Sequence, residues 1–426
     1  VQIRVKGRNP LNGLYVPHGN PNAAKASIAA SMLSEHAITL QNIPTNRSTL
    51  HFLEVAQSLG ATVSWQNSST LTLQTPQLTQ SGLTEAMMQG AVGSLLYIPA
   101  LLARQRRVTV EIGFPLHRIR THLNLLRDLQ QQVTIHEQGF ECVAQNWDAA
   151  DIILDRPSVT ASEIAIMLAV TLGKSTTLRH VACEPHINDL VQLLRSMGAE
   201  ISGEGSNCLH IVGQPSLTPA TQTLSVDHIE TASMIAIGAL CGGAIEITPP
   251  PHTQLPDLRV IGRTFAQVGI HFNQDAQHIS VPQHARFIMA DGEEDVDASI
   301  ETSEWPGFPS DLVSIITLVA SITEGTTLIH ERLFRDRLLF VDTLKRMGAN
   351  IVLADPHRAL VIGGASLYAD YIPAPDPRFG LGLLGATLLA EGESVIDNAQ
   401  YFNYTFANVL DKLTALGADI EVNPTA

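Results

Sequence analysis

One pattern constrains this chain more than any other. A helix-like segment ends in Leu/Met-Gly-Ala and runs at once into a short β-like stretch, as in FLEVAQSLGATVSW, LVQLLRSMGAEISG, DTLKRMGANIVLA and VLDKLTALGADIEV. Weaker copies are LLRDLQQQVTIHE and IGRTFAQVGIHFN. The glycines fall at Gly60, Gly198, Gly269, Gly348 and Gly417, and Gln130 fills the slot in the remaining copy. Glycine just past a helix end closes it in the left-handed conformation without a Cβ penalty. The period, roughly seventy residues, is longer than a solenoid repeat.

A second unit alternates with the first: a nearly all-apolar helix, a break, then a strand. Its copies are ASIAASMLSEHAITLQNI, GSLLYIPALLARQRRVTVEI, ASEIAIMLAVTLGKSTTLRHV, TASMIAIGALCGGAIEIT, SDLVSIITLVASITEGTTLIHE and GLGLLGATLLAEGESVIDNA. A helix without a polar face is expected to be buried on all sides, whereas the amphipathic Gly-Ala helices should lie outside. The chain therefore reads as an α/β protein built from six βαβα-type modules. Three modules closing round their own buried helices make one domain, and six make two. The Pro/Thr/Ser-rich stretch QPSLTPATQTLSVDH reads as the crossover after the third module. The expected domains are 19–226, and 1–18 with 227–426.

The formal charge of −15 over 426 residues argues against a general nucleic-acid binder. Cys142, Cys183, Cys208 and Cys241 form no CxxC pair, which argues against a zinc site and fits a reducing, cytoplasmic setting. No apolar run approaches the ~20 residues needed to cross a bilayer, so neither a membrane span nor a secretory signal is expected. Local basic pockets remain open to anions. The stretch EIGFPLHRIRTH, Glu111 to His122, looks like a working loop: a glycine, a proline and a basic cluster follow the strand-like RVTVEIG.

The stretches CEPHINDLVQLLRSMGAEISG, DHIETASMIAIGAL, WPGFPSDL, LFRDRLLFVDTLKRMGA and DKLTALGADIEV span both halves of the chain. They resemble the enolpyruvyl transferase family, and the branch acting on UDP-N-acetylglucosamine more than the sister branch acting on shikimate 3-phosphate. The resemblance implies two domains, each an inside-out α/β barrel of three modules, with a ligand held in the cleft between them. It also implies transfer of the enolpyruvyl group of phosphoenolpyruvate to a sugar hydroxyl, an early step of peptidoglycan synthesis, with no cofactor. That chemistry needs cations for a phosphate and a carboxylate, a base for the hydroxyl proton and an acid for the enol carbon.

On the matched positions, the resemblance implies that Asp311 of FPSD is the carboxylate beside the reacting hydroxyl; capping of the following helix is the alternative. Asp376 and Arg378 of PDPRFG match the family's Asp-Leu-Arg, whose arginine meets phosphoenolpyruvate. Arg337 stands where the family carries another arginine, or else pairs with Asp336 or Glu331. Ser158, Val159 and Thr160 fall where the uridine is cradled, with Thr160 in place of a glycine; helix capping is the competing role. Asn22 matches an asparagine that touches the substrate sugar. Arg118 or Arg120 stands for the loop arginine.

Other positions depart from the family pattern. Pro21 replaces a lysine, Val92 and Tyr404 replace arginines, and the loop lacks the family's cysteine or aspartate acid. Lys25 lies one turn beyond Pro21 and reads as solvated; His117 and His122 are the remaining proton donors in the loop. Three readings follow. The chain is an active transferase with an unusual site, a transferase with a different acceptor, or a homologue that binds a UDP-sugar or a protein partner with little phosphoenolpyruvate transfer. The lost cations favour the last.

Overall fold

The structure, a computed structural model, describes residues 1–89, 91–214, 216–290, 298–376 and 379–423. The chain divides into two compact units: a continuous one, Gly19–Ser225, and a split one, Val1–His18 with Val226–Ala426. Each has its own apolar core.

Among the described residues each unit holds three four-stranded sheets of one design, in which a parallel pair is extended by two antiparallel strands. In one, Ala220–Thr223 runs parallel to Ile38–Gln41, which pairs antiparallel with Thr70–Gln74, and that strand with Thr62–Asn67. The first sheet position is therefore filled by a strand from the far end of the same unit. The split unit is closed twice in this way. Gly13–Tyr15 lies parallel to Ile245–Ile247. Gln2–Lys6 sits between Glu393–Ile396 and Asp419–Asn423, with Ile3 opposite both Ile396 and Val422.

The apolar helices are enclosed as their sequences require. Val159–Leu172 and His228–Leu240 are buried over nearly their whole lengths, and Val313–Ile322 from Val313 to Ser321. The Gly-Ala helices show one buried face; Arg47–Ser58 buries Phe52, Leu53, Val55 and Ala56 and leaves its other side wet. Their closing glycines all take positive φ, from +80° at Gly269 to +111° at Gly60. Gln130 takes φ 62°, so the module without a glycine makes the same turn with a side chain that resists it.

Candidate functional site

In the continuous unit, helix Pro21–Ser31 begins where Asn20 accepts from the N–H of Asn22 at 2.9 Å and of Ala23 at 3.0 Å. Pro21 at the first helical position has no N–H to satisfy and is buried. Asn22 is exposed at this end. Lys25 is not the solvated side chain that its sequence suggests. It is partly buried, and burial lowers its pKa, opposed by the charge of Glu163. Glu163 is 1% exposed with Oε1 unpartnered, and burial drives its carboxyl well above the usual range, reinforced by Glu184 and opposed by Lys25.

Ser158 caps helix Val159–Leu172, its hydroxyl accepting from the N–H of Ala161 at 3.5 Å. Val159 begins the helix, and Thr160 Oγ1 lies 2.7 Å from His122 Nε2. The methyl and hydroxyl that replace glycine are thus tethered to the neighbouring helix Arg120–Asp128. His122 is 4% exposed, its Nδ1 has no partner, and burial lowers its pKa to about 4. It is neutral near pH 7 and holds no acidic proton to give. His117, Arg118 and Arg120 are exposed, with the Arg118 guanidinium 4.7 Å from the centre of the Phe114 ring. Cys142 is fully buried and its thiol is pushed up to about 12, so it does not stand in for a loop acid. Val92 opens a short 3-10 turn, Val92–Tyr97, and packs against the core.

In the split unit, Pro309 leads into the turn Ser310–Leu312 and then helix Val313–Ile322. Asp311 Oδ1 accepts from Arg337 at 3.0 Å; the arginine side chain is 18% exposed and the aspartate 56%. Arg337 also lies 4.9 Å from the centre of the Phe334 ring. The sequence offers Asp336 or Glu331 to Arg337, and the structure places Asp311 against it at 3.0 Å. Asp336 sits 3.8 Å from Arg335, and Glu331 accepts from Ser310 Oγ and from the N–H of Leu333 and Phe334. Two residues singled out separately, Asp311 and Arg337, are therefore brought together.

The carbonyl of Asp376 accepts from the N–H of Phe379 at 2.9 Å, and Gly380 follows at φ 56°. A Cβ on Gly380 would stand 3.4 Å from the Asp311 carbonyl oxygen, so this turn passes beside Asp311. Arg378 and Pro377 lie outside the described residues. Tyr404 is half-buried in the short helix Phe402–Thr405. A shallow hollow there is lined by Asp376, Gly380, Tyr401 and Thr405 among others.

A charged cluster was missed in the sequence. Glu230, 2% exposed, accepts from Tyr15 Oη at 2.5 Å, Lys412 Nζ at 2.7 Å and the His18 N–H at 3.0 Å. Burial alone would raise its pKa, but Lys412 and His18 together hold it down at about 2. Beside it Asp227 caps helix His228–Leu240 through the Ile229 N–H, and burial with the Glu230 charge lifts it to about 7. Burial lowers His228 to about 4, opposed by the Asp311 charge, and its ring meets Trp305 edge-on at 5.6 Å. The available signal was DHIE, three ionisable residues in four ahead of an apolar helix.

Six modules in two units, with Asp311 and its arginine at the head of a buried helix, define an enolpyruvyl transferase type of protein. A family model described as EPSP synthase (3-phosphoshikimate 1-carboxyvinyltransferase) matches residues 5–413, and the chain belongs to that family. It is 35% identical over 430 residues to a UDP-N-acetylglucosamine 1-carboxyvinyltransferase of Bradyrhizobium diazoefficiens, covering 100% of this chain and 98% of the relative. It is 35% identical over 424 residues to the protein of that name from Treponema denticola, covering 98% of each. In fold it resembles the crystal structure of the enolpyruvyl transferase NikO from Streptomyces tendae, at TM-score 0.86 and 21% identity, over 99% of this chain and 98% of that one. The α/β class read from the sequence is the fold observed. Among the described residues no helix is long and apolar enough to cross a membrane.

Proposed function

We propose that this chain binds a UDP-sugar-like ligand, with Asp311 as the carboxylate that meets its hydroxyls, and transfers the enolpyruvyl group of phosphoenolpyruvate weakly or not at all. The relatives are named for UDP-N-acetylglucosamine, and Asn22, Ser158 and Val159 match the family where the resemblance implies sugar and uridine contacts. Asp311 is the observation that carries the reading. It is an exposed carboxylate with a fixed arginine partner, suited to accept hydrogen bonds from a hydroxyl-rich ligand.

Phosphoenolpyruvate is different, because a small dianionic or trianionic ligand depends on several cations. Pro21 and Val92 are built into packing, Tyr404 carries no cation, and burial lowers the pKa of Lys25. His122 is neutral, which leaves the loop without a buried acid. On this reading the chain serves as a binding homologue in peptidoglycan precursor metabolism, through its ligand or a protein partner. Calorimetry against a panel of UDP-sugars, alongside phosphate release with both substrates, tests it. Binding without turnover is the expected result. Turnover within about tenfold of a genuine transferase, abolished by Asp311→Ala, overturns it.

A further inference from the structure

Glu331 is 0% exposed. Its two oxygens take three donors: Ser310 Oγ on Oε2 at 2.7 Å, and the N–H groups of Leu333 and Phe334 on Oε1 at 2.9 and 3.0 Å. Its own main chain is held on both sides. The Glu331 N–H donates to the His357 carbonyl at 2.7 Å, and the Glu331 carbonyl accepts from His357 Nδ1 at 2.7 Å. A second tie lies alongside, the Arg332 N–H donating to Thr302 Oγ1 at 3.1 Å.

The carboxylate thus joins two turns that are distant in sequence. One is Ser310–Leu312, which carries Asp311; the other is the turn 335–340, which carries Arg337 and is entered through Leu333 and Phe334. The Asp311–Arg337 pair does not hold itself. Asp311 is more than half exposed, and an ion pair of that kind contributes little to fixing its own geometry. The backbone turns beneath it carry the two side chains, and Glu331 is a group that both turns share.

We propose that Glu331 is a positioning residue, setting Asp311 against Arg337 by fixing the two turns that carry them. Its consequence for binding rests on the reading that Asp311 meets the ligand. A glutamine can reproduce the arrangement, its carbonyl accepting from both backbone N–H groups and its NH2 donating to the Ser310 hydroxyl. A leucine removes all three bonds, and Ser310→Ala removes one while leaving Leu333 and Phe334 tied.

The experiment is calorimetry of UDP-N-acetylglucosamine with wild type, S310A, E331L and E331Q, each checked for folding by circular dichroism. Folded S310A and E331L are expected to bind about tenfold or more weakly, because small misplacements of a contact residue are costly. E331Q is expected within about threefold of wild type. Unchanged affinity in folded S310A overturns the proposal, as does an E331Q variant as weak as E331L, since charge and not position would then be the cause. If E331L does not fold, S310A carries the comparison. If wild type binds no UDP-sugar, the functional reading fails, and a crystal structure of S310A decides the positioning claim alone. Displacement of Asp311 from Arg337 supports it; a contact retained at 3.0 Å overturns it.

Discussion

Lys412 Nζ lies 2.7 Å from Glu230 Oε1 across 182 residues of sequence, with the carboxylate 2% exposed and the ammonium 18%. Removing one member of such a pair leaves the other buried and uncompensated. Lys412→Met is expected to cost about 3–5 kcal/mol in urea unfolding near neutral pH. The sign with pH follows from Glu230, held at about 2 against an ordinary 4.5. Its contribution is complete above 4.5 and is lost as pH falls toward 2, so the gap between wild type and variant should close over that window. A gap independent of pH would assign the loss to packing of the lysine stem.

His122 gives the opposite kind of burial, a base kept neutral. Its pKa falls from 6.5 to about 4, so the unfolded chain binds more protons than the folded one between those values. Stability therefore drops as pH falls from 6.5 to 4. His122→Gln lacks this loss, and the wild-type advantage over it should shrink through the same range. The His122 ring resonance in an NMR titration should move near pH 4; a midpoint near 6.5 would show an open, solvated ring.

Gln130 and Gly348 make the same turn with different side chains, at φ 62° and 108°. A left-handed residue with a Cβ is strained by roughly 1–2 kcal/mol. Gln130→Gly is expected to raise stability by about 0.5–1 kcal/mol, after the entropy of the freer unfolded chain is subtracted. Gly348→Ala should lower it, because a Cβ there meets the Ser366 carbonyl oxygen at 2.9 Å in addition to the strain. Thermal unfolding of both variants checks the pair, and a destabilised Gln130→Gly would contradict the argument.

Phosphate release from phosphoenolpyruvate and UDP-N-acetylglucosamine is expected to be slower than that of a genuine transferase by a factor on the order of 10³ or more. Each absent partner of a desolvated charge costs about 2–5 kcal/mol. On the proposed reading, Pro21, Val92 and Tyr404 stand in place of cations, and even with strong non-additivity that removes ~4–6 kcal/mol of transition-state stabilisation. On the same reading the lack of a loop acid is expected to lower the rate by roughly a further 10²–10⁴. A stopped assay with a working relative as control measures this directly.

The fold was legible because its signals are local and repeated. Helices without polar faces have one place to go, and Gly-Ala ends mark where each chain segment turns. The site was less so. Ser158 as a helix cap was readable, being a matter of adjacent residues. The Asp311–Arg337 pair, the tether of Thr160 to His122 and the enclosure of Lys25 each depend on elements tens of residues apart. So does the Tyr15–Glu230–Lys412 cluster, whose members look like ordinary surface residues when read singly. Sequence patterning reports burial along one helix; it does not report which buried charge meets which.

The strand Gln2–Lys6, wedged between Glu393–Ile396 and Asp419–Asn423, also sets an order of assembly. Residues 19–225 form a continuous unit, able to fold as soon as they leave the ribosome. The split unit is different, since its first-made strand pairs only with the last-made ones and must wait unpaired through most of synthesis. Its closing contacts span nearly the whole chain, a topology that slows folding and leaves a strand edge open meanwhile. The strand that waits alternates Ile3 and Val5 with Gln2, Arg4 and Lys6, and these polar and cationic side chains keep its edge soluble until its neighbours arrive.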